Sequence, residues 1–103
     1  MGPVEGIIRQ RLEQVFAPAY LEVVNESASH SVPEGSESHF KVVLVSEQFL
    51  GKSAVQRHQS VYAVVAEQLR ESVHALALHT YAPNEWDDKK SAPESPRCLG
   101  GNK

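Results

Sequence analysis

The segment HFKVVLVS, His39 to Ser46, is apolar at nearly every position. Such a run predicts a strand covered on both faces or lying at the centre of a small sheet. A short alternating run upstream, YLEVVN from Tyr20 to Asn25, predicts a second strand. A third is predicted downstream in VHALALHTY, Val73 to Tyr81, where alternation places His74 and His79 on opposite faces.

Two amphipathic helices are predicted beside these strands. In the first, Pro3 to Phe16, apolar residues recur at steps of three and four, and Pro18 blocks its continuation. The second is expected to begin at Ser53, which has capping-box spacing with Gln56, and to run to about Glu71. Its predicted buried stripe consists of Val55, His58, Val61, Tyr62, Val65 and Leu69. A short last helix is predicted from Pro83 to Trp86.

The order of these elements predicts a small α/β protein, a two-layer sandwich of α-β-β-α-β order with an optional last helix. We expect one three-stranded mixed sheet with the helices packed on one face. The first two strands should form an antiparallel hairpin with a long loop, and the third should return parallel through its crossover helix. Residues 1–88 are predicted to form the single domain. Residues 89–103, rich in charge, Pro, Ser and Gly, are predicted to form a flexible tail.

Composition narrows the function classes. The chain has 103 residues, 41% apolar and 22% charged, which is typical of one folded domain. Its formal charge of -3 excludes a polybasic protein, and the single Cys98 excludes a disulfide framework or a self-contained thiolate metal site. Neither a signal peptide nor a membrane-spanning run is found, so a cytoplasmic location without membrane association is expected. No nucleophile, P-loop or dinucleotide motif is present, so we do not expect an enzyme.

Three stretches resemble the BolA family and its histidine-bearing branch. They are LEVVNESASHSVPEGSESHFKVVLVS (Leu21 to Ser46), GKSAVQRHQSVY (Gly51 to Tyr62) and VHALALHTY, with Pro83 and Trp86 behind them. The resemblance covers roughly residues 5 to 90. It implies a fold like the class II KH domain, although the G-x-x-G loop of KH domains is absent here. It also implies two activities: partnership with a monothiol glutaredoxin around a shared 2Fe-2S cluster, and DNA-binding regulation of stress response, cell morphology and division genes.

The resemblance gives three histidines candidate roles. It implies that His74 is the recurrent cluster ligand and that His30, in the long loop, is the second, with His39 as the alternative. From the residues alone, the preferred interpretation is a polar loop residue for His30 and a half-buried residue for His74, with ligation as the alternative for each. His58 and His79 are interpreted as structural or surface residues.

The number of ligands then predicts a partner. A 2Fe-2S cluster takes four ligands, usually thiolates, and this chain offers at best two imidazoles. The family resemblance supplies the other two as the glutaredoxin thiolate and a bound glutathione. Cys98 is interpreted as an incidental thiol of the tail, and the isolated protein is expected to lack the cluster.

The DNA-binding alternative depends on a small local surplus of positive charge. Between residues 41 and 70, four cationic side chains face two acidic ones, and some lie near the start of the second helix, where free amides can hold a phosphate. The four are Lys41, Lys52, Arg57 and Arg70. An ordinary solvated helix face explains these charges equally well. Binding to promoter DNA should be strongly salt-dependent and need a dimer or a partner, so a weak homodimer is a further expectation.

Overall fold

The computed structural model of the chain describes residues 2–29 and 35–89. The helices and strands, in chain order, are α1 (Pro3–Phe16), β1 (Tyr20–Asn25), β2 (His39–Val45), α2 (Ala54–Val64), α3 (Ala66–Glu71), β3 (Ala75–Tyr81) and α4 (Pro83–Lys89). Single 3-10 turns follow β1 at Ser27–Ser29 and β2 at Glu47–Phe49. Within these ranges, no helix is both long and apolar enough to cross a membrane.

The three strands form one mixed sheet in the order β1-β2-β3. β1 runs antiparallel to β2, with Tyr20 opposite Val45, and β3 runs parallel to β2, with His39 beside Ala75. The strand predicted to be central therefore is central. The predicted fold class, a small α/β protein with a three-stranded mixed sheet, is confirmed.

The hydrophobic core lies between one face of the sheet and the helices. Alternation along β2 turns Phe40, Val42 and Leu44 to this side, where each is almost completely buried. The helices contribute the remaining buried side chains of this cluster, among them Ile8, Leu12, Phe16, Val61 and Val65. Burial of these apolar side chains is the main favourable contribution to the free energy that holds the helices on the sheet.

The other face of the sheet is covered at one end by α4. The Trp86 ring stacks on Tyr20 at 5.1 Å and lies 5.2 Å from Tyr81, measured between centroids. Both tyrosines are register neighbours of Val45, which is fully buried on this face. The expectation of helices on one face concerns the first two predicted helices; α4, the optional last helix, instead places its tryptophan on the opposite face.

The predicted second helix is divided at Val65. The capping box at its start is confirmed: the Ser53 hydroxyl accepts from Gln56 N–H at 3.2 Å, and the Gln56 side chain accepts from Ser53 N–H at 3.0 Å. At Val65 the backbone adopts φ -107° and ψ 22°, outside the helical range. Val65 N–H still bonds to the Val61 carbonyl at 3.2 Å. The chain therefore bends at Val65 without losing this hydrogen bond. The Val65 side chain is buried in the core.

The predicted stripe of this helix is also wrong in part. Val55 is 64% exposed and Tyr62 39% exposed, whereas the buried positions of α2 are Arg57 and Val61. The apolar pattern therefore predicted more of this helix surface to be buried against the sheet than the structure shows.

Three predicted ends shift by one or a few residues. β2 ends at Val45, and Ser46 caps the 3-10 turn that follows while its hydroxyl donates to the Phe16 carbonyl at 2.8 Å. β3 begins at Ala75, two residues later than expected. α4 continues to Lys89, three residues beyond the predicted end at Trp86, so residue 89, which we had assigned to the tail, is helical. The rest of the predicted tail, with Cys98, lies outside the described residues.

The start of α1 is capped by a distant carboxylate. Glu37, on the segment entering β2, accepts from Val4 N–H at 3.3 Å and from Glu5 N–H at 3.0 Å. A Cβ placed on Gly2 would collide with this carboxylate, so a side chain there would displace the Glu37 cap. The negative charge also complements the positive end of the helix dipole.

Replacing this cap should weaken the fold. We expect Glu37→Ala to lower the free energy of unfolding by about 1–2 kcal/mol, because two helix N–H groups lose their acceptor. Urea unfolding followed by circular dichroism measures the change. Glu13→Ala, on the exposed face of the same helix, should stay within about 0.5 kcal/mol of wild type. Equal losses in the two variants would contradict the capping role.

Candidate metal centre

His39 and His74 meet at one end of the sheet. β2 and β3 are parallel, so both strands start at the same edge, with His39 first in β2 and His74 directly before β3. The two imidazole rings lie 6.3 Å apart between centroids, with their planes at 76°. His74 is exposed and His39 is half-buried. Two imidazole rings, one exposed and one half-buried, thus lie close together at this end of the sheet.

Hydrogen bonds fix the backbone on both sides of the pair. The Ser38 carbonyl accepts from His74 N–H at 2.8 Å and from Ala75 N–H at 3.1 Å. The buried Ser27 hydroxyl accepts from Ser38 N–H at 2.9 Å and from His39 N–H at 3.1 Å. The two histidines are therefore held by main-chain contacts that exist before any ligand binds, which is a property of preorganised sites.

The His39 ring also contacts Ser38. Its Nδ1 lies 2.8 Å from the Ser38 hydroxyl oxygen. When Nδ1 carries the proton and donates it to this oxygen, Nε2 keeps its lone pair and can bind a metal. Metal-ligating histidines commonly use their second ring nitrogen in this way, because the hydrogen bond fixes both the tautomer and the ring orientation.

The donor set fits one side of a shared site. Within residues 2–29 and 35–89, no group of three or more His, Cys, Asp or Glu side chains is arranged to hold a metal ion. Two imidazoles can replace two thiolates on one iron of a 2Fe-2S cluster, as in Rieske centres. The His39 and His74 pair therefore fits half of a cluster site. His30, the other predicted ligand, lies outside the described residues.

His79 lies away from this pair. It neighbours Val43 on the sheet face opposite the core, and among the described residues its buried Nε2 has no hydrogen-bond partner. Burial, and secondarily the positive charge of Lys41, lowers the pKa of His79. His58 is half-buried on α2. Neither ring is placed to join His39 and His74 at the sheet end.

Arg57 lies inside the fold. Its guanidinium donates to the Lys52 carbonyl at 3.0 Å, to the Thr80 carbonyl at 3.3 Å and to both Glu85 carboxylate oxygens at 2.7 and 3.1 Å. The residue is 8% exposed, and the guanidinium lies 5.8 Å above the Phe49 ring centroid. We had included Arg57 among the nucleic-acid candidates. Its guanidinium is engaged in these internal contacts, and its burial does not support contact with a phosphate.

The other three cationic candidates are dispersed. Lys52 is exposed in the turn before α2. Arg70 is exposed on α3, with its guanidinium 3.8 Å from the Glu71 carboxylate. Lys41 alternates with Phe40 and Val42 in β2, so it points away from the helical layer that carries Arg70. The structure therefore does not gather the four into one patch, and their role in DNA binding stays a prediction.

Sequence reasoning missed Glu85 and Glu37. Each is paired with a group about 30 residues away, Glu85 with Arg57 and Glu37 with the start of α1. Periodicity and capping rules relate residues a few positions apart, so they cannot predict pairs that are this distant in the chain.

The fold and the histidine pair define a class of protein: a small α/β domain that displays potential ligands at a sheet end. Comparison with known families identifies the family to which the chain belongs. The family model described as BolA-like protein matches residues 12–85, and the chain belongs to the BolA-like family.

Named relatives extend this result. The chain is 50% identical over 103 residues to BolA-like protein 1 of Homo sapiens, covering 100% of this chain and 75% of the human protein. It is 50% identical over 99 residues to the DNA-binding transcriptional regulator BolA of Escherichia coli strain K12, covering 91% and 94%. The solution structure of BolA1 from Mus musculus superposes with a TM-score of 0.85 at 47% identity, covering 97% of this chain and 81% of that one. The bacterial name is that of a regulator, not an enzyme.

The two arginines Arg57 and Arg70 offer a matched test of the internal clamp. We expect Arg57→Met to lower the free energy of unfolding by about 2–3 kcal/mol, since it removes the guanidinium that donates to the Glu85 carboxylate and to two carbonyls. Arg70→Met should change it by less than about 0.5 kcal/mol, because its ion pair is exposed. Thermal unfolding measures both. A similar small change in the two variants would show that the Arg57 contacts do not stabilise the fold.

Proposed function

We propose that this protein is a non-enzymatic adaptor that pairs with a monothiol glutaredoxin and co-ligates a bridging 2Fe-2S cluster. Membership of the BolA-like family supports the proposal. The observation that carries it is the meeting of His39 and His74 at the sheet end, where the two imidazole rings lie 6.3 Å apart on a fixed backbone. Iron-sulfur or iron homeostasis and stress response are the processes in which such an adaptor would act.

The chemistry of the pair requires a second protein. Two imidazoles leave two positions of a 2Fe-2S cluster open, and the proposal assigns them to the glutaredoxin thiolate and to glutathione. Bound in this way, the cluster would supply a redox centre with a potential above that of an all-thiolate site. Because imidazole binds metal only when neutral, acidification should weaken the half that this chain contributes.

The role of each residue follows from its position. The exposed His74 is the ligand that a partner reaches first. His39 is the second imidazole by geometry, with the Ser38 hydroxyl fixing the ring. His30 is the competing second ligand, and the experiment below separates the two.

Co-expression with a monothiol glutaredoxin, in the presence of glutathione, should give a coloured 1:1 complex. His74→Ala should change its visible circular dichroism spectrum and speed loss of the colour, because one iron loses a ligand. Comparing His39→Ala with His30→Ala identifies the second ligand as the one whose loss has the same effect. His58→Ala removes an imidazole from α2 and should leave the spectrum intact. A spectrum indifferent to all of His74, His39 and His30 would remove these histidines from the site.

A second function, DNA-binding transcriptional regulation, is favoured by the names of the bacterial relatives. In this chain its support is Lys52, an exposed cation in the turn just before the α2 capping box. Arg57 donates to the main-chain carbonyls of Lys52 and Thr80, so the backbone of the turn that carries the Lys52 side chain is held against the end of β3. A contact with Lys52 would position a phosphate without reading sequence.

We expect Lys52→Gln to weaken binding to a promoter duplex by a similar factor for all sequences. The slope of log affinity against log salt concentration should shrink by about 1, the value for one lost phosphate contact. Fluorescence anisotropy at several salt concentrations measures both quantities. Lys41→Gln, on the other face of the sheet, is the matched control. If the two variants behave alike, the DNA surface does not lie at the start of α2.

A further inference from the structure

Ser27 is a buried polar residue beside the histidine pair. It begins the 3-10 turn after β1, and only 3% of its surface is exposed. A buried hydroxyl is unfavourable unless its oxygen is hydrogen-bonded. The Ser27 oxygen accepts from two consecutive main-chain groups, Ser38 N–H at 2.9 Å and His39 N–H at 3.1 Å. A single side chain therefore joins the segment leaving β1 to the start of β2.

The Ser27 hydroxyl completes the last step of the β1–β2 ladder. Antiparallel strands exchange two main-chain hydrogen bonds at alternate residue pairs. At the pair formed by Glu26 and His39, Glu26 N–H donates to the His39 carbonyl at 2.7 Å. The return donor, His39 N–H, bonds to the Ser27 hydroxyl. The position of the His39 main chain thus depends on a side chain.

The peptide group between Ser38 and His39 connects this hydroxyl to β3. Its N–H bonds to Ser27. Its carbonyl accepts from His74 N–H at 2.8 Å and from Ala75 N–H at 3.1 Å. A trans peptide group is planar, with its N–H and its carbonyl on opposite sides, so fixing the N–H also orients the carbonyl. The Ser27 hydroxyl therefore orients the group to which the His74 main chain is bound.

Asn25, the last residue of β1, holds Ser27 in turn. Its Oδ1 accepts from Ser27 N–H at 3.0 Å, and its Nδ2 donates to the Ser36 carbonyl at 2.9 Å. The Asn25 side chain thus binds both the segment that leaves β1 and the segment that enters β2. Because Asn25 is exposed, it can be replaced without disturbing the hydrophobic core.

We propose that Ser27 is a positioning residue for the His39 and His74 pair, and that Asn25 holds Ser27 in place. The Ser27 hydroxyl fixes one peptide group, and that group sets the start of both strands at the histidine end of the sheet. Groups behind the ligands of a metal site orient those ligands in this way. The use of the pair as ligands rests on the proposed function, but the positioning is a property of the free protein.

Ser27→Ala and Ser46→Ala form a matched pair of variants. Each removes a buried hydroxyl, but Ser46 lies at the other end of β2, where it donates to the Phe16 carbonyl. Both variants should melt at a lower temperature than wild type. In NMR spectra of the free protein, only Ser27→Ala should weaken the nuclear Overhauser effect between the His39 and His74 rings. Only this variant should also speed hydrogen exchange of the His74 amide.

The cluster complex gives a second measurement. With a monothiol glutaredoxin and glutathione, Ser27→Ala should lose the colour of the complex about tenfold faster than Ser46→Ala, because removing a group that orients a ligand weakens metal binding by about this factor. Asn25→Asp keeps an oxygen that accepts from Ser27 N–H and should stay close to wild type in both measurements. Asn25→Ala should shift toward Ser27→Ala.

The outcomes separate the positioning role from the proposed function. Equal ring contacts and equal amide exchange in Ser27→Ala and Ser46→Ala would overturn the positioning role. If Ser27→Ala does not fold, identical behaviour of Asn25→Ala and Asn25→Asp would overturn it instead. If only Ser27→Ala loses the ring contact while even the wild-type protein forms no coloured complex, the positioning role stands and the proposed function fails.

Discussion

β2 exchanges main-chain hydrogen bonds with a strand on each side and is buried on both faces, and every other part of the fold is placed by it. One face of β2 receives α1 and α2 through Phe40, Val42 and Leu44. Its first residue, His39, and the carbonyl of Ser38 just before it fix the start of β3 and thereby the position of the histidine pair. At its other end, Ser46 ties the sheet to the end of α1. β2 needs a paired strand on each side and a covering layer on each face. It therefore determines where the candidate ligands lie.

The sequence predicted the elements well wherever the signal was local. The bounds of α1 and β1, the central position of β2 and the Ser53–Gln56 capping box all follow from patterns within a few residues, and all are confirmed. The bend at Val65 could not be predicted, because the apolar spacing of Val61, Val65 and Leu69 continues through it and only packing decides the dihedral angles. The contacts of Glu37 and Arg57 were missed for a related reason: each joins segments that are distant in the chain.

The candidate site shows the same division. The role of His74 came from family resemblance, and the structure adds its neighbour His39 at 6.3 Å and the hydrogen bonds that hold both. The structure places Arg57 inside the fold rather than on an exposed cationic surface. The sequence could not show this, because a cation on a helix gives the same pattern whether it faces solvent or Glu85. Arg57 bonds to two carbonyls and a carboxylate, and so it joins α2, β3 and α4 at one point. Local charge counts therefore overestimate an exposed surface whenever one cation is internal.

The bend at Val65 has a consequence for how firmly the parts of the molecule are held. It isolates α3 as a helix of six residues, far below the length at which a helix is stable alone, so α3 depends on its packing against the rest of the protein. α2, in contrast, is fixed by its capping box and by Arg57. We therefore expect α3 to open more readily than α2 in the native ensemble, with its amides exchanging with solvent sooner. α3 leads through Ser72 and Val73 into His74, so the candidate ligand lies next to the less firmly held of these two helices.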